Sequence, residues 1–468
     1  MGLLYDRLTE YAGSDYYPLH MPGHKRNALT SALEPFARTD ITEIDGFDNL
    51  HAAQDILLCL QQKAAAIYGA EESFYLINGS SCGILAAISA TGQAGKKLLM
   101  VRGCHKSAYH GLYLSGQEAV YLWPEVHPQY GCEMQVAPKA VEEALKENAD
   151  ISAVLIVSPT YEGLHANIPE IAKIVHKRKL PLIVDAAHGA HLGFHGKWAE
   201  NACRQGADLV IMSLHKTLPS PTQTALMHVN GDLVDRKRLR RYLQIYQSSS
   251  PSYPMMAAME EALDYTDQKK EEIFDRFYEY WQDMLHTLSG CQYISCLKEV
   301  NSDIGKLVVM DTSGCFSGKE LYDILREEYH LQPEMAAGDY ILAMFTIGDT
   351  KEGFIRTAKA LLEIDRKCAV LVREKQHKTK RYPHTAVSQF MSLKDAWDAP
   401  KIMVSLKEAA GKISGEFVNL YPPGRPILVP GEKISTEIIS LIIQYIGENL
   451  TVHGIEYGDG EIKISVLL

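Results

Sequence analysis

The 468-residue chain has no C-x-x-C pair, no internal repeat, no low-complexity tract and no excess of basic residues. Its nine cysteines (Cys59, Cys82, Cys104, Cys132, Cys203, Cys291, Cys296, Cys315, Cys368) are odd in number and scattered. This argues against a disulfide framework or a cysteine-built metal site and fits a reduced cytoplasm; no metal is expected. Lys and Arg total 47 against 58 Asp and Glu, a net charge of −11 at pH 7. That balance lacks the electrostatic footprint of a nucleic-acid binder and mildly favours cationic ligands. The most apolar stretch near the C-terminus, Ile438 to Ile446, is interrupted by Ser440, Gln444 and Tyr445. It falls short of the roughly 20 residues a membrane-spanning helix needs. The opening Met-Gly-Leu-Leu-Tyr-Asp lacks the basic-then-apolar order of an export signal, and Asp6 stands where a myristoylation motif has Ser or Thr. The expectation is a cytoplasmic protein with no membrane contact.

What is present is a large apolar fraction, 46%, with 34 Gly and 20 Pro, enough for about two or three folded domains. From about residue 60 to 230, helical runs alternate with short, nearly continuous apolar runs. This is the pattern of strands buried on both faces of a mostly parallel sheet. Strands are expected at Ser73–Ile77, Lys97–Val101, Ala153–Val157, Leu180–Val184, Leu209–Met212 and Ala225–Val229, with helices at Ile56–Tyr68, Ser81–Ala90, Pro138–Glu147 and Ile168–His176. The order is βαβα, an α/β domain. Before it, Leu19-His20-Met21-Pro22-Gly23-His24-Lys25-Arg26 reads as an arm or loop. After about residue 275, strands at Lys306–Asp311 and Tyr340–Ile347 with helices at Gly318–Tyr329 and Gly353–Asp365 suggest a smaller α+β domain. The Lys- and Arg-rich stretch Arg366–Tyr382 reads as a solvated helix end and linker. The expected division is 1–50 (arm), 51–275 (large α/β domain), 276–380 (small α+β domain) and 381–468 (C-terminal segment).

Four elements carry chemistry, and each follows a strand end. Ser213-Leu214-His215-Lys216-Thr217 places a lysine just past an apolar strand, in the crevice where open α/β sheets bind ligands. Asp185 closes Leu182-Ile183-Val184 and opens Ala186-Ala187-His188-Gly189-Ala190-His191. A carboxylate there needs a cationic partner or a solvated cleft. The spacing from Asp185 to Lys216 allows one crossover helix and one strand, so both can face one crevice. Asn78-Gly79-Ser80-Ser81-Cys82-Gly83 is a Gly/Ser turn opening a helix, which offers free amides and hydroxyls to a phosphate, or else serves as an ordinary strand-to-helix turn. Arg102-Gly103-Cys104-His105-Lys106-Ser107 brings a histidine to a fourth strand end. One ligand accounts for all four: an aromatic phosphate ester with a basic ring nitrogen and an aldehyde. Pyridoxal 5′-phosphate (PLP) has this anatomy.

The chain resembles the PLP-dependent Orn/Lys/Arg decarboxylases of fold type I, particularly the short bacterial form. The resemblance is carried by Met21-Pro22-Gly23-His24-Lys25-Arg26, Gly46-Phe47-Asp48-Asn49-Leu50-His51, Asn78-Gly79-Ser80-Ser81, Ser158-Pro159-Thr160-Tyr161-Glu162-Gly163 and Asp185-Ala186-Ala187-His188-Gly189-Ala190-His191. It continues through His215-Lys216-Thr217-Leu218-Pro219, Ser249-Ser250-Pro251-Ser252-Tyr253, Tyr421-Pro422-Pro423-Gly424-Arg425-Pro426 and Pro430-Gly431-Glu432. It implies an aspartate-aminotransferase-like large α/β domain with a mostly parallel sheet, an N-terminal arm and a smaller C-terminal α+β domain. It also implies decarboxylation of arginine, lysine or ornithine, arginine being favoured, in a homodimer or higher oligomer with shared sites, and a place in polyamine biosynthesis.

By the same resemblance Lys216 is similar to the Schiff-base lysine, Asp185 to the partner of the pyridinium nitrogen and His105 to the imidazole stacked on the ring. Ser80, Ser81 and the Cys82 amide, with Ser213 and His215, resemble the phosphate cup. Ala187 is expected beneath the ring and His188 near the ring substituents; the mechanism this implies ends with protonation at Cα, for which Lys216 and His215 are the candidate donors. Glu334 matches a position for the substrate's distal cation, and Arg425 lies in a motif near the substrate. Ala186, Leu214 and Ala52-Ala53-Gln54 depart from the family pattern. Two rivals stay open: an aminotransferase, for which Arg356 or Arg425 would clamp a carboxylate, and a PLP-binding regulatory protein without useful catalysis.

Overall fold

The computed structural model describes all residues except 1, 35, 94, 373–386, 422–424 and 459. Most of the basic stretch ending at Tyr382 lies outside the described residues. Chain contacts define two units, each discontinuous in sequence: residues 1–93, 141–159 and 167–276 in the first, and 94–140, 160–166 and 277–468 in the second.

The first unit is built on a five-strand run in the order β1 (Glu72–Leu76), β7 (Ala225–Val229), β6 (Leu209–Ser213), β5 (Leu182–Asp185) and β4 (Ile151–Val157). β4, β5 and β6 pair in parallel, while β7 is antiparallel to both β6 and β1. The apolar runs of β5, β6 and β7 are buried at every position, because helices cover both faces of such a sheet. Those helices include α2 (Ile56–Tyr68), α3 (Gly79–Thr91), α5 (Pro138–Glu147) and α6 (Ile168–His176). α6 shows why: Ile168, Ile171, Ala172 and Val175 form one buried stripe, and Asn167 caps its first turn by accepting the Glu170 N–H. α7 (Leu214–Thr217) is a single turn after β6, and α8 (Arg236–Tyr246) precedes the 36-residue α9 (Tyr253–Leu288). Residues 1–50 hold a helix, α1 (Leu3–Gly13), with Leu4 and Leu8 buried.

In the second unit β2 (Lys97–Val101) and β3 (Glu118–Leu122) pair in parallel, with α4 (Lys106–Ser115) between them in sequence. Three of the five pairings described are therefore parallel. A four-stranded sheet follows in the order β10 (Met335–Ala336), β11 (Tyr340–Met344), β9 (Lys306–Asp311), β8 (Ile294–Cys296), joined by α10 (Gly318–Glu327) and α11 (Lys351–Leu371). The C-terminal part holds two three-stranded sheets, β12 (Lys401–Ser405), β17 (Glu461–Leu467), β16 (Ile455–Gly458) and β14 (Arg425–Leu428), β13 (Val418–Tyr421), β15 (Thr451–His453). With α12 (Leu393–Asp398) and α13 (Thr436–Gly447) they complete the chain. Val418, Leu428, Ile434, Ile438, Ile442, Ile464 and Val466 form the core of this part.

The expected helices at 56–68, 138–147 and 168–176 and the strands at 97–101, 225–229 and 306–311 have the observed bounds. Two local differences bear on the site. β5 starts at Leu182, not Leu180, since Pro181 has no N–H for a ladder, and it extends to Asp185. α3 starts at Gly79, not Ser81, so Ser80 joins Ser81 and Cys82 in its first turn. Among the described residues no helix is long and apolar enough to cross a membrane.

Candidate active site

The strand ends of the first unit link six of the candidate residues: Asp185, Ala187, His188, Ser213, His215 and Lys216. Asp185, the last residue of β5, is 7% exposed. One carboxylate oxygen accepts the Ala187 N–H at 3.1 Å. Burial pushes its pKa up, opposed by the Lys216 charge and by that amide. The adjoining β6 leads directly into α7, which carries His215 and Lys216. The Ser213 N–H donates to the Ala187 carbonyl at 3.3 Å, tying the turn after Asp185 to the start of the lysine helix. Lys216 Nζ lies 3.1 Å from His188 Nε2, and His188 is itself buried. His215 directs Nδ1 at the Thr224 carbonyl, 2.9 Å away. Burial holds its pKa down and Lys216 adds to the effect, against the Thr224 carbonyl. Ser213 Oγ is buried and has no hydrogen-bond partner among the described residues.

The first turn of α3 is open to a ligand. Asn78 at the N-cap makes no side-chain cap; its Oδ1 instead accepts the Ser248 N–H at 3.1 Å. Gly79 has φ +74°, a left-handed value that an L side chain rarely adopts. A side chain at Gly83 would come within 2.7 Å of Leu76 and 3.0 Å of Ile211, so its absence lets α3 press on β1 and β6. Burial pushes the Cys82 thiol up to about 12. Cys82 is therefore a neutral thiol, and what it offers an anion is its backbone amide.

The remaining candidates are in the second unit. His105 is the N-cap of α4, accepting the Ser107 N–H at 3.2 Å through Nδ1. Glu334 is exposed and accepts a hydrogen bond from the Tyr161 hydroxyl. Arg425 is engaged by two carboxylates, Glu162 at 2.8 Å and Glu133 at 3.4 Å, and Glu162 also accepts from the Tyr340 hydroxyl at 2.8 Å. This cluster borders a cavity of about 180 Å³. Arg356 donates to the Tyr329 and His330 carbonyls. Sequence reasoning gave Glu133 and Glu162 no role: Glu162 stands in a quoted motif, but nothing along the chain pairs it with an arginine 263 residues away.

The fold defines the class. A structure of SPT with PLP superposes with a TM-score of 0.55 at 16% identity, over 72% of this chain and 82% of that one. The architecture is that of the fold type I enzymes. Residues 3–334 match the Orn/Lys/Arg decarboxylase major domain and residues 372–453 its C-terminal domain, so the chain belongs to the Orn/Lys/Arg decarboxylase family. It is 29% identical over 470 residues to an arginine decarboxylase of Bacillus subtilis, covering 97% of this chain and 95% of that protein. A lysine decarboxylase structure from Francisella novicida, LdcF, gives a TM-score of 0.85 at 18% identity, covering 100% of this chain and 81% of that one. Family and fold imply PLP, and the residues of the first unit fit it. A buried acid suits a basic ring nitrogen, a lysine amine suits an aldehyde, and the partnerless Ser213 hydroxyl with the open amides of α3 suits a phosphate.

Proposed function

We propose that the protein decarboxylates a basic L-amino acid, arginine first and lysine or ornithine next, with PLP as cofactor, releasing CO2 and a polyamine-type amine in the cytoplasm. The observation that carries this reading is the placing of the buried Asp185 at the end of β5 and of Lys216 in the turn that follows the neighbouring parallel strand β6, beside the partnerless Ser213 hydroxyl, in a chain of this family.

When bound, PLP supplies an electron sink for the pair left behind by the departing carboxylate. Lys216 would hold the aldehyde end through its amine and yield that position to the substrate's amine. Asp185 would keep a proton on the ring nitrogen; its burial makes the carboxylate a strong acceptor, and its Ala187 contact fixes its direction. Ser80, Ser81, the Cys82 amide, Ser213 and His215 would hold the phosphate, Ala187 and His188 the ring and its substituents, and His105 the outer ring face. Glu334 is assigned to the substrate's distal cation. Arg425 remains assigned to the substrate region, already neutralised by Glu162 and Glu133. In this reading residues 51–275 bear the cofactor, and 1–50, 276–380 and 381–468 complete the arm, small domain and C-terminal segment.

The aminotransferase reading needs an arginine available to a substrate carboxylate. Arg425 is occupied by two carboxylates and Arg356 by two backbone carbonyls, which favours decarboxylation. The test is to incubate the PLP-loaded protein separately with L-arginine, L-lysine and L-ornithine and identify products by mass spectrometry. Agmatine and CO2 are expected, and Glu334→Gln should raise KM by about tenfold through loss of one charge-assisted contact. Keto acid without CO2 would establish transamination; neither product would leave the regulatory reading.

A further inference from the structure

Each decarboxylation removes CO2 and adds a proton at Cα, so every turnover takes up one proton. The amine of Lys216 has a proton requirement of its own. It must lose a proton to bond to an aldehyde carbon and regain one when the substrate's amine displaces it. A side chain able to exchange protons with Nζ near neutral pH would serve both steps.

Resting on the reading of Lys216 as the cofactor-bonding lysine, we infer that His188 is a catalytic residue: the acid–base partner of Lys216. The carrying observation is geometric. His188 Nε2 lies 3.1 Å from Nζ, at hydrogen-bond distance. With the ring neutral and its hydrogen on Nδ1, Nε2 is an acceptor facing an ammonium donor. In the forward step the Nζ–H bond breaks, its electron pair stays on nitrogen, and an Nε2–H bond forms. The reverse step reloads the lysine, which then delivers the proton to Cα. Histidine is the side chain whose ordinary pKa permits both directions near neutrality.

Two titratable groups that feel the Lys216 charge, Asp185 and His215, have hydrogen-bond partners of their own. Asp185 accepts from the Ala187 amide and is the acid matched to the ring nitrogen. His215 has Nδ1 on the Thr224 carbonyl. In this assignment Lys216 is the donor to Cα and His188 resupplies it.

The experiment follows capture of PLP by the cofactor-free protein. PLP is added across a pH series, the bond is trapped with borohydride, and label on the Lys216 peptide is quantified by mass spectrometry. His188→Phe should trap about tenfold more slowly at pH 7, with its profile moved up by about one pH unit, a tenfold change in the amine's reactive fraction. His188→Gln keeps a hydrogen-bond acceptor but cannot take the proton, and it should follow His188→Phe. Binding of 4′-deoxypyridoxine 5′-phosphate, which has no aldehyde, gives each variant's remaining affinity for the ring and phosphate, and trapping rates are compared at saturating PLP so that weaker binding does not pass for slower bond formation. A His188→Gln protein that traps at the natural rate and pH would overturn the inference. Label appearing equally in Lys216→Ala would instead refute the reading of Lys216 on which it rests.

Discussion

At the scale of single residues, the site shows how far position along a strand reaches as a signal. Asp185 and Lys216 are legible because a charged residue ending an apolar strand has few places to go. His228 carries no such signal. It stands in Ala-Leu-Met-His-Val of β7, fully buried, with Nδ1 2.6 Å from Ser73 Oγ, and its Nε2 has no partner among the described residues. Burial depresses its pKa from 6.5 to about 3. Below pH 6.5 the unfolded chain binds a proton that the folded chain refuses. The stability contribution is therefore complete above pH 6.5 and is lost as pH falls toward 3. The slope is up to ~1.4 kcal/mol per pH unit for one group. His228→Gln should lose this dependence. Between pH 7 and pH 5 the natural protein should be destabilised by roughly 2 kcal/mol more than the variant, measured by urea unfolding at each pH. Parallel stability curves would show that His228 does not remain neutral on folding.

At the scale of elements, local pattern located the helices whose apolar stripe and caps lie within their own sequence, such as α6. α1 is different. Its N-cap, Gly2, has no side chain to cap with, and the Leu3 and Leu4 amides are satisfied by the two carboxylate oxygens of Glu260 on α9, at 2.7 and 2.9 Å. A side chain on Gly2 would come within 2.7 Å of that carboxyl group, so the glycine allows the close approach. Glu260→Gln replaces an anion at a helix N-terminus by a neutral amide with one acceptor oxygen. It should cost about 1–2 kcal/mol, with faster amide exchange confined to residues 3–13. Unchanged exchange there would mean that Leu4 and Leu8 alone hold the helix. α9 itself was not expected at 36 residues.

At the scale of the whole molecule, residues 14–36 contain no helix or strand among the described residues and expose Tyr16, Tyr17, Leu19, Met21, Leu29 and Phe36. So many large apolar groups in one short segment are unusual on a surface left to water. The arm, with Ser249-Ser250-Pro251-Ser252-Tyr253, is the part we assign to contact with a second copy of this chain. Sedimentation should show at least a dimer, and Leu19→Asp with Leu29→Asp should shift it toward monomer with loss of decarboxylase activity. A fully active monomer would contradict the assignment.

The chain by itself determined the alternation of helices and buried strands, the small C-terminal domain and the strand-end positions of Asp185 and Lys216. Each is encoded by neighbours in sequence through periodicity, capping or a charge after an apolar run. Tertiary structure alone decided which of those residues meet. The hydrogen bond from Ser213 to Ala187, the approach of His188 to Lys216 and the clamping of Arg425 by Glu133 and Glu162 each depend on elements that are distant along the chain. Their registers are set by sheet pairing and core packing, and neither is written in any local stretch of residues.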